Sequence, residues 1–278
     1  MTRILAFHAH PDDCETLAAG TLAILADLGH EITIATATAG ECGSVDHSLE
    51  ETGAIRGEEA TRAAAAIGAS YLCAGLPDLG VFNDDVSRRA VTAVVRAARA
   101  EIVITASPVD YHPDHEATSV LVRDACFAAS AGNYRAGDAA PLTAIPHLYF
   151  MDPIGGRDRE GRRIAPEFAV DISDRIEVKR RMLAAHESQT TWLLAQHGIT
   201  DPIEAMAGLS RKRGEEFAVA WAEGFRQYRH EPYPRTPLLQ GLLGDAVRQI
   251  LLRPLTEEGD RRTAVEEAGA VQTRAGES

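Results

Sequence analysis

Two short segments of this chain gather the residue types that bind divalent cations and move protons. The first is His8-Ala-His-Pro-Asp-Asp-Cys-Glu15 and the second is Tyr111-His-Pro-Asp-His-Glu116. A catalytic zinc takes three nitrogen or oxygen ligands from the protein and keeps a fourth position for water. His10, Asp13 and His115 supply two imidazoles and one carboxylate. His10 and Asp13 are spaced i, i+3, so one turn at a strand-to-helix junction brings both to the same ion. Asp12 is then left over beside the ion and is placed to take a proton from water there. His112, one turn before His115, is expected on the far side of that water. In its charged form it would stabilise a developing oxyanion or protonate a leaving group. Asp114, between the two histidines, is expected to orient His112 and raise its basicity.

Each segment alone has a plainer explanation. An HxxD at a helix start is often only an N-cap, with Asp12 or Asp13 accepting backbone N–H groups. A site built from Cys14, Cys42 and two histidines is disfavoured, because each cysteine stands alone in its loop. Arg56 is spaced to pair with Glu59 on its own helix, worth about 0.2–0.5 kcal/mol, or to face a pocket from just beyond the second strand. His8 shares a strand face with His10 and reads as a buried or supporting histidine. Glu15 is explained by the positive end of its helix and His186 by packing, while Asp78, at the end of the third strand, either lines the pocket or fixes a turn, the turn being preferred.

The argument for a metal comes from the elements that carry these segments. Arg3–Phe7, Glu31–Thr38, Tyr71–Leu76 and Glu101–Ala106 read as strands. They alternate with helices expected over Thr16–Leu28, Ala54–Ile67, Asp84–Ala100 and Glu116–Ala129. That alternation predicts an α/β, Rossmann-like fold with a mainly parallel sheet flanked by helices. Ligands of such sheets bind at the carboxyl ends of the strands. Both segments follow strands, the first and the fourth, so two stretches distant in sequence converge on one rim.

The second half is less regular, and a smaller irregular C-terminal part is expected. His147–Phe150 reads as a strand, and Arg157–Arg163 as a charged turn capping a hairpin with Phe168–Ile172. Long helices are expected over Asp174–Leu194 and Arg211–Gln227, and an amphipathic one over Leu238–Leu252. This divides the chain into a domain over residues 1–232, a helical extension over 233–254 and a disordered acidic tail over 255–278.

Composition narrows the partners. The chain has 278 residues, 45% of them hydrophobic, and a formal charge of −13. Those values suit a globular protein and argue against a fold specialised for nucleic acid, which needs a basic face. No apolar run is long enough to span a bilayer, and the N-terminus leads straight into a strand. Four scattered cysteines without a CxxC read as reduced thiols. A cytoplasmic protein acting on a small molecule, with the option of a homo-oligomer, is the expectation.

HPDDxE after the first strand, HPDH after the fourth, and Arg56 followed by acidic residues on the second helix resemble the LmbE-like (PIG-L) family of zinc-dependent N-acetylglucosaminyl deacetylases. The resemblance runs over about Arg3 to Arg226 and includes Ala185-His-Glu-Ser-Gln189 and Ala222-Glu-Gly-Phe-Arg226. It implies a Rossmann-like fold and removal of an acetyl group from an amino sugar. It also implies one zinc per chain on His10, Asp13 and His115, other divalent metals being possible. Asp12 would be the general base, with His112 assisting at the oxyanion or the leaving amine, and Arg56 at the substrate pocket. A family tyrosine near the substrate carbonyl has three candidates here, Tyr111, Tyr134 and Tyr149. The loop from Ala39 to Gly53 has no clear match to the family's sugar-recognising loop.

Other chemistries are weaker. The loop after the first strand carries carboxylates where a dinucleotide fingerprint needs glycines for a pyrophosphate. No GxSxG elbow is present for a serine hydrolase. Two rivals keep the same site: a zinc hydratase or lyase acting on an unsaturated organic acid, and an inactive binding protein of the same fold. Asp12 beside a complete ligand set argues against the second, since a binder needs no base.

Overall fold

Consecutive side chains of a strand serve opposite faces of a sheet, and the first strand, β1 (Arg3–His8), shows the consequence. Ile4 and Ala6 belong to one buried layer, Leu5 and Phe7 to the other. The computed structural model describes residues 1–197 and 201–249. In it β1 is central to an eight-stranded sheet. It pairs in parallel with β2 (Glu31–Thr38) and β4 (Ile102–Thr105). Beyond these lie β3 (Ser70–Leu76) and β5 (His147–Met151), also parallel, giving the order β3-β2-β1-β4-β5.

The chain winds outward from β1 through β2 to β3, then returns to β1's other side with β4. The reversal opens a crevice beyond the carboxyl ends of β1 and β4. Helices α1 (Asp13–Asp27) and α2 (Leu49–Ala65) cover one face. Helices α3 (Asp85–Ala97) and α4 (Pro113–Ala129) cover the other. The expected fold class is therefore the observed one.

Helix starts differ from expectation where capping decides them. Helix α2 begins earlier than expected, because Ser48 and Glu51 form a reciprocal capping box. Helix α4 begins at Pro113, whose fixed φ suits the first helical position, with His112 as its cap.

The second half departs further. The expected helix over Asp174–Leu194 is two helices, α5 (Ile176–Ala184) and α6 (Glu187–His197). They part at Ala185 and His186, where the Ser188 N–H and hydroxyl donate to Glu59 at 2.8 and 2.6 Å. The expected helix over Arg211–Gln227 is instead α7 (Pro202–Glu216) followed by a strand, β7 (Ala222–Gln227). Between them Ala218 takes a positive φ of 57°, and a Cβ on Gly214 would meet the Ala220 carbonyl at 2.5 Å, so the chain reverses tightly.

Strand β6 (Phe168–Asp171) forms no hairpin with Arg157–Arg163, which share only an isolated bridge. It pairs antiparallel with β7, and β7 with β5. The expected amphipathic helix from Leu238 is α8 (Leu238–Leu243), ended at Gly244. A short strand β8 (Val247–Gln249) then adds to β6. The rest of that helix and the tail over 255–278 lie outside the described residues.

One buried ion pair ties this second half to α1. Glu223 of β7 accepts the N–H groups of Gly20 and Thr21 at 3.0 and 2.8 Å. Lys179 of α5 donates to Glu223 and to the Thr16 carbonyl, both at 2.7 Å. Thr16 and Gly20 are i, i+4 positions of α1, so the pair grips a single turn of the helix. Gly20 is required there, since a Cβ would meet Ile172 at 2.6 Å.

Candidate metal centre and active site

The loop after β1 turns at Asp12, whose φ of 93° is a left-handed value that aspartate tolerates better than most residues. Asp12 stands at the N-cap position of α1, yet its side chain makes no capping bond. The capping explanation therefore fails for Asp12, and its carboxylate is free to face the crevice. Asp13 turns inward. Its Oδ2 accepts the His10 backbone N–H at 2.8 Å. The same oxygen lies 2.8 Å from His8 Nδ1, 3.2 Å from His10 Nδ1 and 3.4 Å from His115 Nε2. Three imidazoles from two distant segments thus surround one carboxylate oxygen.

Nitrogen and oxygen donors close enough to share an ion form three overlapping groups among the described residues. These are His10–His112–His115, His8–Asp13–His115 and His10–Asp78–Asp114. The expected ligands His10, Asp13 and His115 all fall within them, but no single group holds all three. Asp13 is the hub that both histidines face.

The donors suit a divalent cation in chemistry as well as position. Nε2 of His10, the ring atom that faces Asp78 and Asp114, is buried without a hydrogen-bond partner of good geometry among the described residues. Such atoms are costly to leave unsatisfied, and an imidazole lone pair directed at a metal satisfies them. Burial favours neutral His10, but the carboxylates of Asp114, Asp13 and Asp78 hold its pKa well above the ordinary value. Burial likewise raises Asp13, yet His115 and His8 hold it well below the usual carboxylate range. A cation would balance the same negative charge.

Two carboxylates the spacing did not single out support this centre. Asp110, wholly buried, lies 3.2 Å from His115 Nδ1 through Oδ1. It also accepts the Tyr111 N–H at 2.7 Å and, through Oδ2, the Ile154 N–H at 2.9 Å. His115 therefore stands between Asp110 behind it and Asp13 in front, the arrangement in which a carboxylate fixes a ligating ring. Asp78 accepts the Leu79 N–H at 2.9 Å, as a turn residue does, but its Oδ1 also lies 3.1 Å from His10 Nε2. The turn explanation for Asp78 was incomplete. Its only sequence signal was its position after β3.

Two expected roles change. Asp114 does not orient His112: its Oδ2 accepts the Leu79 N–H at 2.8 Å and lies 3.5 Å from His10 Nε2. The contact with His112 is made by the Asp114 backbone, whose N–H donates to His112 Nδ1 at 3.2 Å. With Nδ1 accepting that bond, the geometry fits a neutral ring with its proton on Nε2, and not the charged form expected from the sequence. Burial and the nearby His115 and His10 lower its pKa in the same sense.

Arg56 pairs with Asp12, and the pairing with Glu59 is not formed. Its guanidinium donates to the Gly40 carbonyl at 2.7 Å and the Pro11 carbonyl at 2.8 Å, and approaches Asp12 Oδ2 at 3.4 Å. A side chain on Gly40 or Gly43 would collide with it. Burial pushes the Asp12 pKa up to about 6, with Arg56 pulling it down and Asp13 adding to the rise. A carboxylate there is poised to exchange protons near neutrality.

Behind this loop, Glu15 and His186 are both buried, not solvated. His186 Nε2 lies 3.6 Å from Glu15 Oε1, and neither ring nitrogen has a hydrogen-bond partner. Glu15 has the helix-end place expected of it in the first turn of α1, with His186 beside it as a further partner, and the reading of His186 as a satisfied packing residue is corrected. His8 fulfils its expected supporting role, fully buried against Asp13.

The centre opens into a cavity of about 840 Å³. Asp12, Arg56, Asp78 and His112 belong to its polar wall, contributed by α2 and the loops after β1, β3 and β4. Its apolar wall comes from α6, α7 and the segment after β5. Of the three candidate tyrosines only Tyr111 lines this cavity. Tyr149 is buried with its hydroxyl donating to Gln240, and Tyr134 lines a separate pocket beside Asp85.

A family model described as PIG-L, GlcNAc-PI de-N-acetylase, matches residues 5–126, which carry both segments. A diacetylchitobiose deacetylase from Thermococcus kodakarensis is 30% identical over 200 residues, covering 67% of this chain and 70% of the relative. The chain belongs to the PIG-L family. This PIG-L protein is also 27% identical over 241 residues to the 1D-myo-inositol 2-acetamido-2-deoxy-alpha-D-glucopyranoside deacetylase of Rhodococcus erythropolis, covering 68% of the chain and 81% of that enzyme. Among solved structures it is similar to GalB, the 4-carboxy-2-hydroxymuconate hydratase of Pseudomonas putida. That likeness has a TM-score of 0.68 at 22% identity, over 85% of this chain and all of GalB, and shows a shared fold. No helix among the described residues of the PIG-L protein is long and apolar enough to cross a membrane.

Proposed function

We propose that this protein is a zinc-dependent hydrolase that removes an N-acetyl group from an amino sugar or amino-sugar conjugate. The observation that carries the reading is the meeting of three imidazoles around Asp13 with an uncapped Asp12 beside them. The curated relatives, both deacetylases of N-acetylated glucosamine compounds by name, favour amide hydrolysis over the hydration of an unsaturated acid.

His10, Asp13 and His115 would hold the metal, with Asp110 steadying His115. Bound there, zinc supplies a Lewis acid for the acetamide carbonyl and makes water more acidic. Asp12 takes the proton of the attacking water as the water oxygen adds to the carbonyl carbon. Arg56 holds the Pro11 carbonyl and restrains Asp12, so the base meets the water in one orientation. His112, neutral, donates an Nε2–H hydrogen bond to the carbonyl oxygen as negative charge develops there and keeps its proton. When the C–N bond breaks, Asp12 returns its proton to the departing amine, the remaining hydroxyl proton of the new acid passes to solvent or to that amine, and acetate and the free amino sugar leave.

Incubation of the zinc-loaded protein with diacetylchitobiose and with N-acetylglucosamine, following free amine and acetate, tests this. Equimolar release of both, abolished by a chelator and restored by zinc, is expected. Absence of both products from every N-acetyl amino sugar, with water added across an unsaturated dicarboxylate instead, would overturn it.

A further inference from the structure

The cavity is larger and more apolar than an acetamido sugar needs. Its volume of about 840 Å³ lies high in the range of roughly 300–1,000 Å³ for small-molecule sites. Its apolar wall follows one helix. Pro202, Ala205, Met206, Leu209 and Lys212 all line it, and their spacing puts them on one face of α7. That stripe is about 15 Å long at the rise of an α-helix. Trp192 and Leu193 of α6 and Ile154 line the same space.

The stripe ends on a cation. Lys212 is exposed and forms no ion pair among the described residues, whereas its neighbours are engaged elsewhere. Arg211 pairs with Glu204 at 3.2 Å and lies over the Trp221 ring, and Arg213 pairs with Asp152 at 2.6 Å. The cavity's lining guanidinium, Arg56, is occupied by two carbonyls and Asp12. In a chain of charge −13, an unpaired ammonium at the end of an apolar wall is a local exception. The wall is also anchored: Ala207, on the opposite side of α7, is buried in the core, and the Arg213–Asp152 pair ties the helix to the end of β5.

We propose that the substrate is an N-acetyl amino sugar joined to an apolar group that runs along α7 and ends in an anion at Lys212. The inference rests on the deacetylase reading for the sugar end and on the α7 stripe for the rest. A second sugar in place of the apolar group would need polar partners, and along this stripe α7 offers only Lys212.

Methyl, octyl and 7-carboxyheptyl β-glycosides of N-acetylglucosamine test it, with kcat/KM read from free-amine release by the zinc-loaded full chain. The octyl glycoside is expected to exceed the methyl by tenfold or more, since each buried methylene contributes about fourfold. The carboxylated chain is expected to exceed the octyl by about three- to fivefold at low salt, as an exposed ion pair gives, and to lose that advantage at about 1 M salt. Lys212→Glu is expected to bring the carboxylate-to-octyl ratio to one or below. Leu209→Asp is expected to collapse the octyl-to-methyl ratio, and Met206→Ser serves the same purpose if that variant does not fold. Equal kcat/KM for the three glycosides, or ratios unmoved by these variants, overturns the inference and leaves the deacetylase reading intact. If no glycoside releases amine, that reading fails, and equilibrium binding of the same three compounds decides the inference. The same order of affinity supports it, and a flat order overturns it.

Discussion

Asp110 Oδ1 lies 3.2 Å behind His115 Nδ1, while Nε2 of the same ring faces Asp13 at 3.4 Å. The ring is therefore held from the back by one carboxylate and presented to another. Removal of that support should weaken the metal without dismantling the fold. Asp110→Asn keeps the size of the side chain and removes its charge. Zinc affinity measured against a competing chelator is expected to fall about 10- to 100-fold. An unchanged affinity would show that Asp110 only holds the loop through the Tyr111 and Ile154 amides.

Asp12 carries the proton in the proposed reaction but none of the metal. Asp12→Ala is expected to retain a full equivalent of zinc while kcat falls about 10²- to 10⁴-fold. Undiminished turnover at full zinc content would remove Asp12 from the role of base.

Arg56 supports Asp12 through the backbone as much as through charge. Arg56→Met strips the Pro11 and Gly40 carbonyls of their buried donor, which costs about 1–3 kcal/mol per unsatisfied group. Urea denaturation should show a loss of about 2–6 kcal/mol for the two carbonyls together, with reduced kcat. Wild-type stability with reduced kcat alone would mean that Arg56 acts only on the substrate.

The Lys179–Glu223 pair is a test of how α1 is held. Lys179→Met leaves Glu223 buried without its cation, which costs about 3–5 kcal/mol. The paired replacement Lys179→Met with Glu223→Leu should recover part of the loss but not the Gly20 and Thr21 amide contacts. A single variant as stable as the wild type would contradict the grip on α1.

Much of this was legible beforehand, for a physical reason. The β1 to β4 half has short apolar strands alternating with Ala-rich helices, and local periodicity there agrees with the final packing. His10, Asp13 and His115 were visible because each follows a strand end, where the topology gathers loops. Ala222–Gln227 was not legible as a strand. Its Glu223 and Gly224 are poor strand formers, and they are placed by Lys179 and by the close approach of Asp152. Asp110 and the true partner of Asp114 were hidden for a similar reason. Both act through backbone amides of residues far along the chain, Ile154 and Leu79, which spacing alone does not reveal.

Acid sensitivity offers a test remote from the metal. Burial raises Glu216, but hydrogen bonds from Arg213 and Arg163 outweigh it and hold its pKa below the ordinary 4.5. A carboxyl with a lowered folded-state pKa contributes stability fully present above 4.5 and lost as pH falls through the folded value. The stability gap between wild type and Glu216→Gln should therefore be widest near neutrality and shrink below about pH 4. A gap constant across that range in urea midpoints would contradict the pairing.

X-ray absorption at the zinc edge, on protein reconstituted with one equivalent of metal, tests most directly whether the two histidine–aspartate segments share one ion. The account predicts a shell of nitrogen and oxygen at about 2.0–2.1 Å with the outer-shell signature of two imidazoles, lost in His115→Ala. Sulfur scattering at about 2.3 Å, or a shell unaltered by that substitution, would contradict it.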